Sequence, residues 1–521
     1  PHPPLARSRA MRHTWRIESK RTPSCGDTFL ENRMVEQETR TEAQTEPAEP
    51  LKDEVVESSH EAMIAGGRLA YTVHTGTLVL RNNEDNSDRA NIFFVAYIKD
   101  VEDEAERVAR PLVIAFNGGP GSSSVWLHLG VLGPRRVFSG DVDQMAGPPY
   151  ELVDNDHSLL NEADLLFIDP VSTGYSRAAP GVDASQFHGV KGDAESVGDF
   201  IHLFVSRFRR WGSPKYLIGE SYGSTRAAAL SGYLQDRHGM YLNGIMLVSS
   251  ILNFQTTSFT IGNDLAYILY LPSYAATAWY HRALDDELQA GSLESLLAEA
   301  EAFALGDYAS ALLKGARLEE AVAARVASQM ARLTGLSTQY IRRNDLRITL
   351  FRFVKELLRD QERTVGRLDS RFQGIDRDSA GESFEYDPSY SAILGPYTAT
   401  LNDYLGRELD YQRDLTYEIL TSLHQTWNYS EYQNQFVDVA ETLRASMTRN
   451  PKLRLLVASA YFDLATPYFA TEYTLNHLRL DESLHANIQK YYYHAGHMMY
   501  VHEPSLAHLA EALRRFVAAP S

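Results

Sequence analysis

The sequence predicts an α/β protein, a mostly parallel central sheet with helices on both faces, interrupted by a largely helical insertion. Three observations carry this reading. Short, nearly continuous apolar runs recur as PLVIAF (111–116), ADLLFID (163–169), KYLIGE (215–220), GIMLVSS (244–250) and LRLLVASA (453–460), the composition of strands buried on both faces. Helical patterns lie between them, clearest over 193–211, where Val197, Phe200, Ile201, Phe204, Val205 and Phe208 recur at helical spacing. The rhythm stops near residue 255 and resumes near 452; the stretch between is Ala/Leu/Glu/Arg-rich and helical at 292–333 and 348–365, then loop-like over 369–391.

Taken in chain order, residues 1–62 form a polar, acidic, Pro-punctuated stretch with too little apolar surface to offset the entropy of ordering it, and are expected to be a disordered tail. Next, RLAYTVHTGTLVL and NIFFVAYI flank the turn NNEDNSD and read as antiparallel strands opening the sheet. The core is assigned to 63–255 and 452–521, and the cap to 256–451. The aromatic stretch at 263–281, which opens the cap, reads as packing between cap and core rather than as pocket lining. No internal repeat of 20 to 50 residues is found.

Composition narrows the function classes. With 44% hydrophobic and 23% charged residues among 521, the chain is not wholly disordered, collagen-like or coiled-coil. A net charge of −18 repels phosphate backbones and anionic lipid, which argues against nucleic-acid and membrane partners. A single cysteine, Cys25, can make no internal disulfide and no Cys-rich metal site. The dispersed histidines show no metal-ligand spacing, and no metal or cofactor is expected. No run of eighteen apolar residues occurs. The basic start lacks the apolar segment and cleavage site of a secretory signal, so a cytoplasmic location is expected; because the chain opens on Pro1, a periplasmic or secreted protein is the alternative. Nothing in the composition speaks to oligomeric state.

The chemistry begins at G-E-S-Y-G, Gly219 to Gly223, set between an apolar strand and a small-residue helix. That is the setting of a nucleophile elbow, with Ser221 held in a strained turn where side chains on the flanking glycines would collide with strand and helix. Upstream, FNGGPGSSS follows a strand, and a serine hydrolase needs two amides aimed at the developing oxyanion. Tyr222, after the nucleophile, supplies one and Gly119 the other. The loop lacks the spacing of a phosphate cradle. An elbow serine also needs an acid and a base later in the chain: LRLLVASAYFDLATP ends an apolar strand in Asp463, followed by a turn with Pro467, and His497 follows Gly496 after an aromatic strand. His497 is preferred to His494 because Gly496 leaves it in a loop free to reach across, whereas His494 continues the strand pattern.

Together NGGPGSSS, LGP (132–134), FIDPVSTGYS (167–176), GESYG, the Asp463 segment and AGHM resemble the serine carboxypeptidases, the α/β-hydrolase fold family of the cathepsin A-type enzymes, from about residue 66 to the end and in the family's order. The resemblance implies an α/β-hydrolase fold with a helical cap, a peptide substrate, acylation of Ser221, and a grip on the peptide's terminal carboxylate by Asn117, Gly118 and Glu220. Two carboxyl groups share a hydrogen bond only when one is protonated, so such a site favours acidic pH. The chain departs from the family at three places: Ser122 stands where familiar members have Cys, Val131 where they carry a supporting acid, and Ser224 where they have Gly. With one cysteine it is identified as a disulfide-free, bacterial-type member. An acyltransferase or esterase on the same fold is the second reading, and a non-catalytic binding protein a third.

Overall fold

A computed structural model describes residues 49–138, 140–142 and 145–519. The main sheet has ten strands: β1 (Glu54–Ile64), β2 (Gly67–Arg81), β3 (Asp88–Lys99), β4 (Leu112–Phe116), β5 (Asp164–Ile168), β6 (Arg177–Ala178), β7 (Lys215–Ser221), β8 (Gly244–Ser250), β9 (Arg454–Ala460) and β10 (Ile488–Tyr493). Their order is β1-β2-β3-β5-β4-β7-β8-β9-β10, with β6 beside β3. From β5 to β10 all pairings are parallel, and the first three strands join antiparallel. Each apolar run read as an interior strand lies in this sheet. Along β4, Val113 and Ala115 enter one core while Leu112, Ile114 and Phe116 enter the other, which is why these strands are apolar without alternation.

Helices α1 (Val190–Arg207) and α2 (Tyr222–His238) cover one face and α5 (Glu503–Ala518) covers the other. Phe200 and Phe204 of α1 pack on Phe94 of β3, and Leu509, Leu513 and Phe516 of α5 fill the opposite core.

The expected 1–62 tail is corrected at its end. Residues 1–48 lie outside the described residues, but Glu54–Ile64 form β1, paired with β2 along its whole length from Glu54↔Thr77 to Ile64↔Gly67. The turn between them places Ala65 and Gly66 at φ of 51° and 73°, the two positive values that match a tight turn to the twist of the strands. An edge strand is held by main-chain hydrogen bonds to one neighbour and leaves most side chains in water, so a polar composition does not exclude it.

The insertion begins with α3 (Leu265–Tyr280) and includes α4 (Pro388–Arg407). Tyr267, Tyr270 and Tyr274 of α3 are buried against Phe353 of the insertion and Phe462, Leu464 and Tyr468 of the core, so the aromatic stretch is an interface. Helix α4 differs from a cap: Ile393, Tyr397, Leu401 and Tyr404 lie within the same apolar cluster as the sheet and α5. From Pro50 onward the chain is one compact unit, and the last third of the insertion is part of its core.

Candidate active site

Four loops meet at the carboxyl ends of β4, β7, β9 and β10, where open α/β sheets bind ligands. Ser221 closes β7 at φ 61°, ψ −129°, a strained conformation for a residue with a side chain, and α2 starts at the next residue. The glycines around it are explained by contact. A Cβ on Gly219 would sit 2.9 Å from Ser224 N, and one on Gly223 2.8 Å from the Phe116 carbonyl. Ser224 does more than pack: its hydroxyl donates to the Ser221 carbonyl at 2.6 Å and accepts from Ile251 N at 2.8 Å, tying the elbow to the end of β8.

The loop after β4 lies directly on the elbow. Gly118 approaches so closely that a Cβ there would overlap the Tyr222 amide and stand 2.8 Å from the Glu220 carbonyl. Gly119 has φ 105°, open to glycine alone. Neither the Gly119 nor the Tyr222 amide has a hydrogen-bond acceptor among the described residues, as required of groups awaiting an oxyanion. A buried ion pair holds the loop down: Arg226 of α2 binds Asp193 of α1 at 2.7 Å and donates to the Asn117 carbonyl, its guanidinium over the Phe116 and Tyr222 rings. Leu420 from the insertion reaches within 3.3 Å of a Cβ position on Gly119.

On the other side, His497 Nδ1 donates to Asp463 Oδ2 at 2.7 Å, with both side chains buried. Asp463 also accepts from the amides of Ala465 and Thr466 and from the Thr466 hydroxyl, which fixes the carboxylate as an acceptor. Burial alone would depress the His497 pKa, but the charge and hydrogen bond of Asp463, with Glu220, lift it above the ordinary imidazole value against the opposing Arg367. His494 is a surface residue, 52% exposed and 3.1 Å from Glu294. It is set aside for a different reason than expected, because β10 ends at Tyr493 and His494 lies at the surface, edge-on to the Tyr461 ring, rather than buried in the strand.

Glu220 is buried one residue before the elbow serine. Its pKa is pushed up to about 7 by burial and by Asp463, against the lowering effects of His497, a hydrogen bond from Tyr500 and the Asn117 carboxamide. The Asn117 Oδ1 accepts from Leu127 N at 3.0 Å, while its buried Nδ2 faces Glu220 as a donor without making a hydrogen bond of standard geometry. Tyr500 donates to Glu220 Oε2 at 2.7 Å and is a residue that sequence reasoning missed. Its ring fills the space over Gly130, which lacks the side chain that would collide with it, beside the fully buried Val131. The signal was present as an aromatic three residues after His497 and a glycine before Val131, but only the fold joins them. No group of three or more metal-binding side chains converges among the described residues.

The serine carboxypeptidase family model matches residues 71–510. Among curated proteins the chain is 33% identical over 173 residues to serine carboxypeptidase-like 37 of Arabidopsis thaliana, covering 32% of each chain. It is 30% identical over 180 residues to the pheromone-processing carboxypeptidase KEX1 of Yarrowia lipolytica, covering 34% of this chain and 26% of that one. These matches span about a third or less of the relatives' length. Among solved structures, Kex1(delta)p, a prohormone-processing carboxypeptidase of Saccharomyces cerevisiae, aligns with a TM-score of 0.55 and 17% identity over 86% of this chain and 90% of that one. That likeness bears on the fold, the expected α/β-hydrolase arrangement. These relatives are plant and yeast proteins, and the expectation of a bacterial-type member is not borne out.

Proposed function

Since the chain belongs to the serine carboxypeptidase family, we propose that it hydrolyses C-terminal peptide bonds through Ser221, His497 and Asp463. His497 Nε2 takes the Ser221 proton as the hydroxyl attacks the scissile carbonyl, and returns it to the leaving amine. Asp463 holds the other ring nitrogen as a donor and stabilises the imidazolium. The amides of Gly119 and Tyr222 receive the oxyanion, and water then releases the acyl group from Ser221.

One observation carries the exopeptidase reading: a buried carboxyl, Glu220, whose pKa is pushed up to about 7, lies beside the buried Asn117 amide and next in sequence to the nucleophile. A protonated Glu220 and the Asn117 Nδ2 donate to a substrate carboxylate, with the Gly118 backbone alongside; the same pair has no comparable use for an amidated end. Labelling with an organophosphonate tests the nucleophile. Wild type is expected to incorporate one equivalent, and Ser221→Ala none, with turnover of a blocked dipeptide falling by several orders of magnitude. Labelling and turnover that survive Ser221→Ala contradict the proposal.

A further inference from the structure

The acid and base loops do not rest on the sheet alone. They are gripped by a strap from the insertion, residues 366–372. Leu464 N, directly after Asp463, donates to the Arg367 carbonyl at 3.1 Å, and the Phe462 carbonyl, directly before it, accepts from Ser370 N at 2.9 Å. His497 N donates to the Leu368 carbonyl at 2.7 Å. The strap therefore pairs with the main chain on both sides of the acid and at the base itself. It is anchored in turn at the start of α4, where Asp387 accepts from the amides of Arg367 and Leu368, and Ser389 Oγ from that of Asp369.

A buried ion pair fixes the strap's shape. Arg371 binds Asp369 through two nitrogens, Nε to Oδ1 at 2.9 Å and Nη2 to Oδ2 at 2.6 Å, and its Nη1 reaches the His494 carbonyl at 3.4 Å. Asp369 fills the space beside Gly496: a Cβ on that glycine would overlap the Asp369 side chain and stand 2.6 Å from its Cα. Gly496 is thus required by close approach, and the residue after it is His497.

We propose that the Asp369–Arg371 pair is a positioning device for the catalytic histidine, setting the height of the Gly496–His497 loop above Asp463. The pair makes no side-chain hydrogen bond to Ser221, Asp463 or the His497 ring among the described residues. It acts through the His497 main chain, which Leu368 holds on one side and Ser249 Oγ on the other, donating to the His497 carbonyl at 2.6 Å. Misplacing a base by about 1 Å costs on the order of 10²-fold in rate with little effect on substrate binding.

The inference rests on the triad proposed above, and the test separates the two. Gly496→Ala adds bulk against Asp369 without altering charge, and Asp369→Ala/Arg371→Met removes both charges together, so neither leaves a bare charge acting on His497. The charged groups facing His497 are then still Asp463, Glu220 and Arg367. With a neutral ester as substrate, kcat per phosphonate-titrated site is expected to fall about 10²-fold in Gly496→Ala and about 10-fold in the double variant, with KM within about 3-fold. The acid limb of kcat/KM should move to lower pH in both, because a loosened Asp463 contact lifts the imidazole less. The double variant carries the test alone if Gly496→Ala does not fold. Wild-type kcat per site and an unmoved acid limb, with only the melting temperature lowered, would show a structural pair and overturn the inference. Turnover that survives His497→Ala would overturn the triad and this inference with it.

Discussion

Glu220 and His497 titrate in each other's presence: the His497 charge lowers the proton affinity of Glu220, and the Glu220 charge raises that of His497. Tyr500 enters this balance as a donor that does not ionise in the working range, since burial holds its phenol well above the usual value. By donating to Glu220 it favours the carboxylate. Tyr500→Phe should therefore raise the Glu220 pKa and move the alkaline limb of kcat/KM for a free-acid dipeptide upward by up to about one pH unit, roughly the 1.4 kcal/mol of one charge-assisted hydrogen bond. A neutral ester, which does not use Glu220, should show no such shift; a limb that stays or moves down contradicts the role given to Tyr500. His494→Ala should leave kcat/KM within about twofold, because an exposed pair such as His494–Glu294 contributes at most about 1 kcal/mol. Loss of activity there would transfer the role of base away from His497.

At the scale of elements, β1 makes the clearest stability prediction. Deleting residues up to Ile64 strips β2 of its outer neighbour and removes the buried Ala62 and Ile64, 4% and 3% exposed, from the core they pack into. The loss should be about 2–4 kcal/mol relative to a chain starting at Glu49, read as a lower melting temperature or urea midpoint. An unchanged midpoint would mean that β1 adds nothing to the fold. The contrast between strands explains what was legible. β4, β5, β7, β8 and β9 announce themselves because both faces are buried, which forces continuous apolar runs. β1 does not, because its ladder needs only main-chain groups. The elbow, the glycine loop, Asp463 and His497 were readable because each follows a strand with close-approach glycines or a turn, and such constraints are local. Tyr500, Arg226 and the strap at 366–372 were not readable, because their roles depend on contacts between segments far apart in sequence, such as Tyr500 over Gly130 and Asp369 against Gly496.

For the whole molecule, the fold gathers two kinds of machinery on one rim of the sheet. The acyl-transfer centre proposed for Ser221, Asp463 and His497 is common to many reactions, whereas the carboxylate grip proposed for the buried Glu220 with Asn117 gives a reason to act at a chain end. The two make opposite demands on pH. In the proposed roles His497 must be neutral to act as base, and its raised pKa should move the acid limb upward, whereas Glu220 must be protonated to hold a carboxylate, so that binding should fade as pH rises through about 7. Peptide acids should thus show a narrower bell than substrates without a terminal carboxylate. The most direct measurement is kcat/KM against pH for one blocked dipeptide as free acid and as amide, in wild type and Glu220→Gln. A carboxylate grip predicts that the acid is preferred below about pH 7, that its alkaline limb is absent from the amide profile, and that Glu220→Gln abolishes that limb. Identical acid and amide profiles in the wild type would contradict it, and would leave an acyl-enzyme chemistry indifferent to the peptide's end, as in an esterase or acyltransferase.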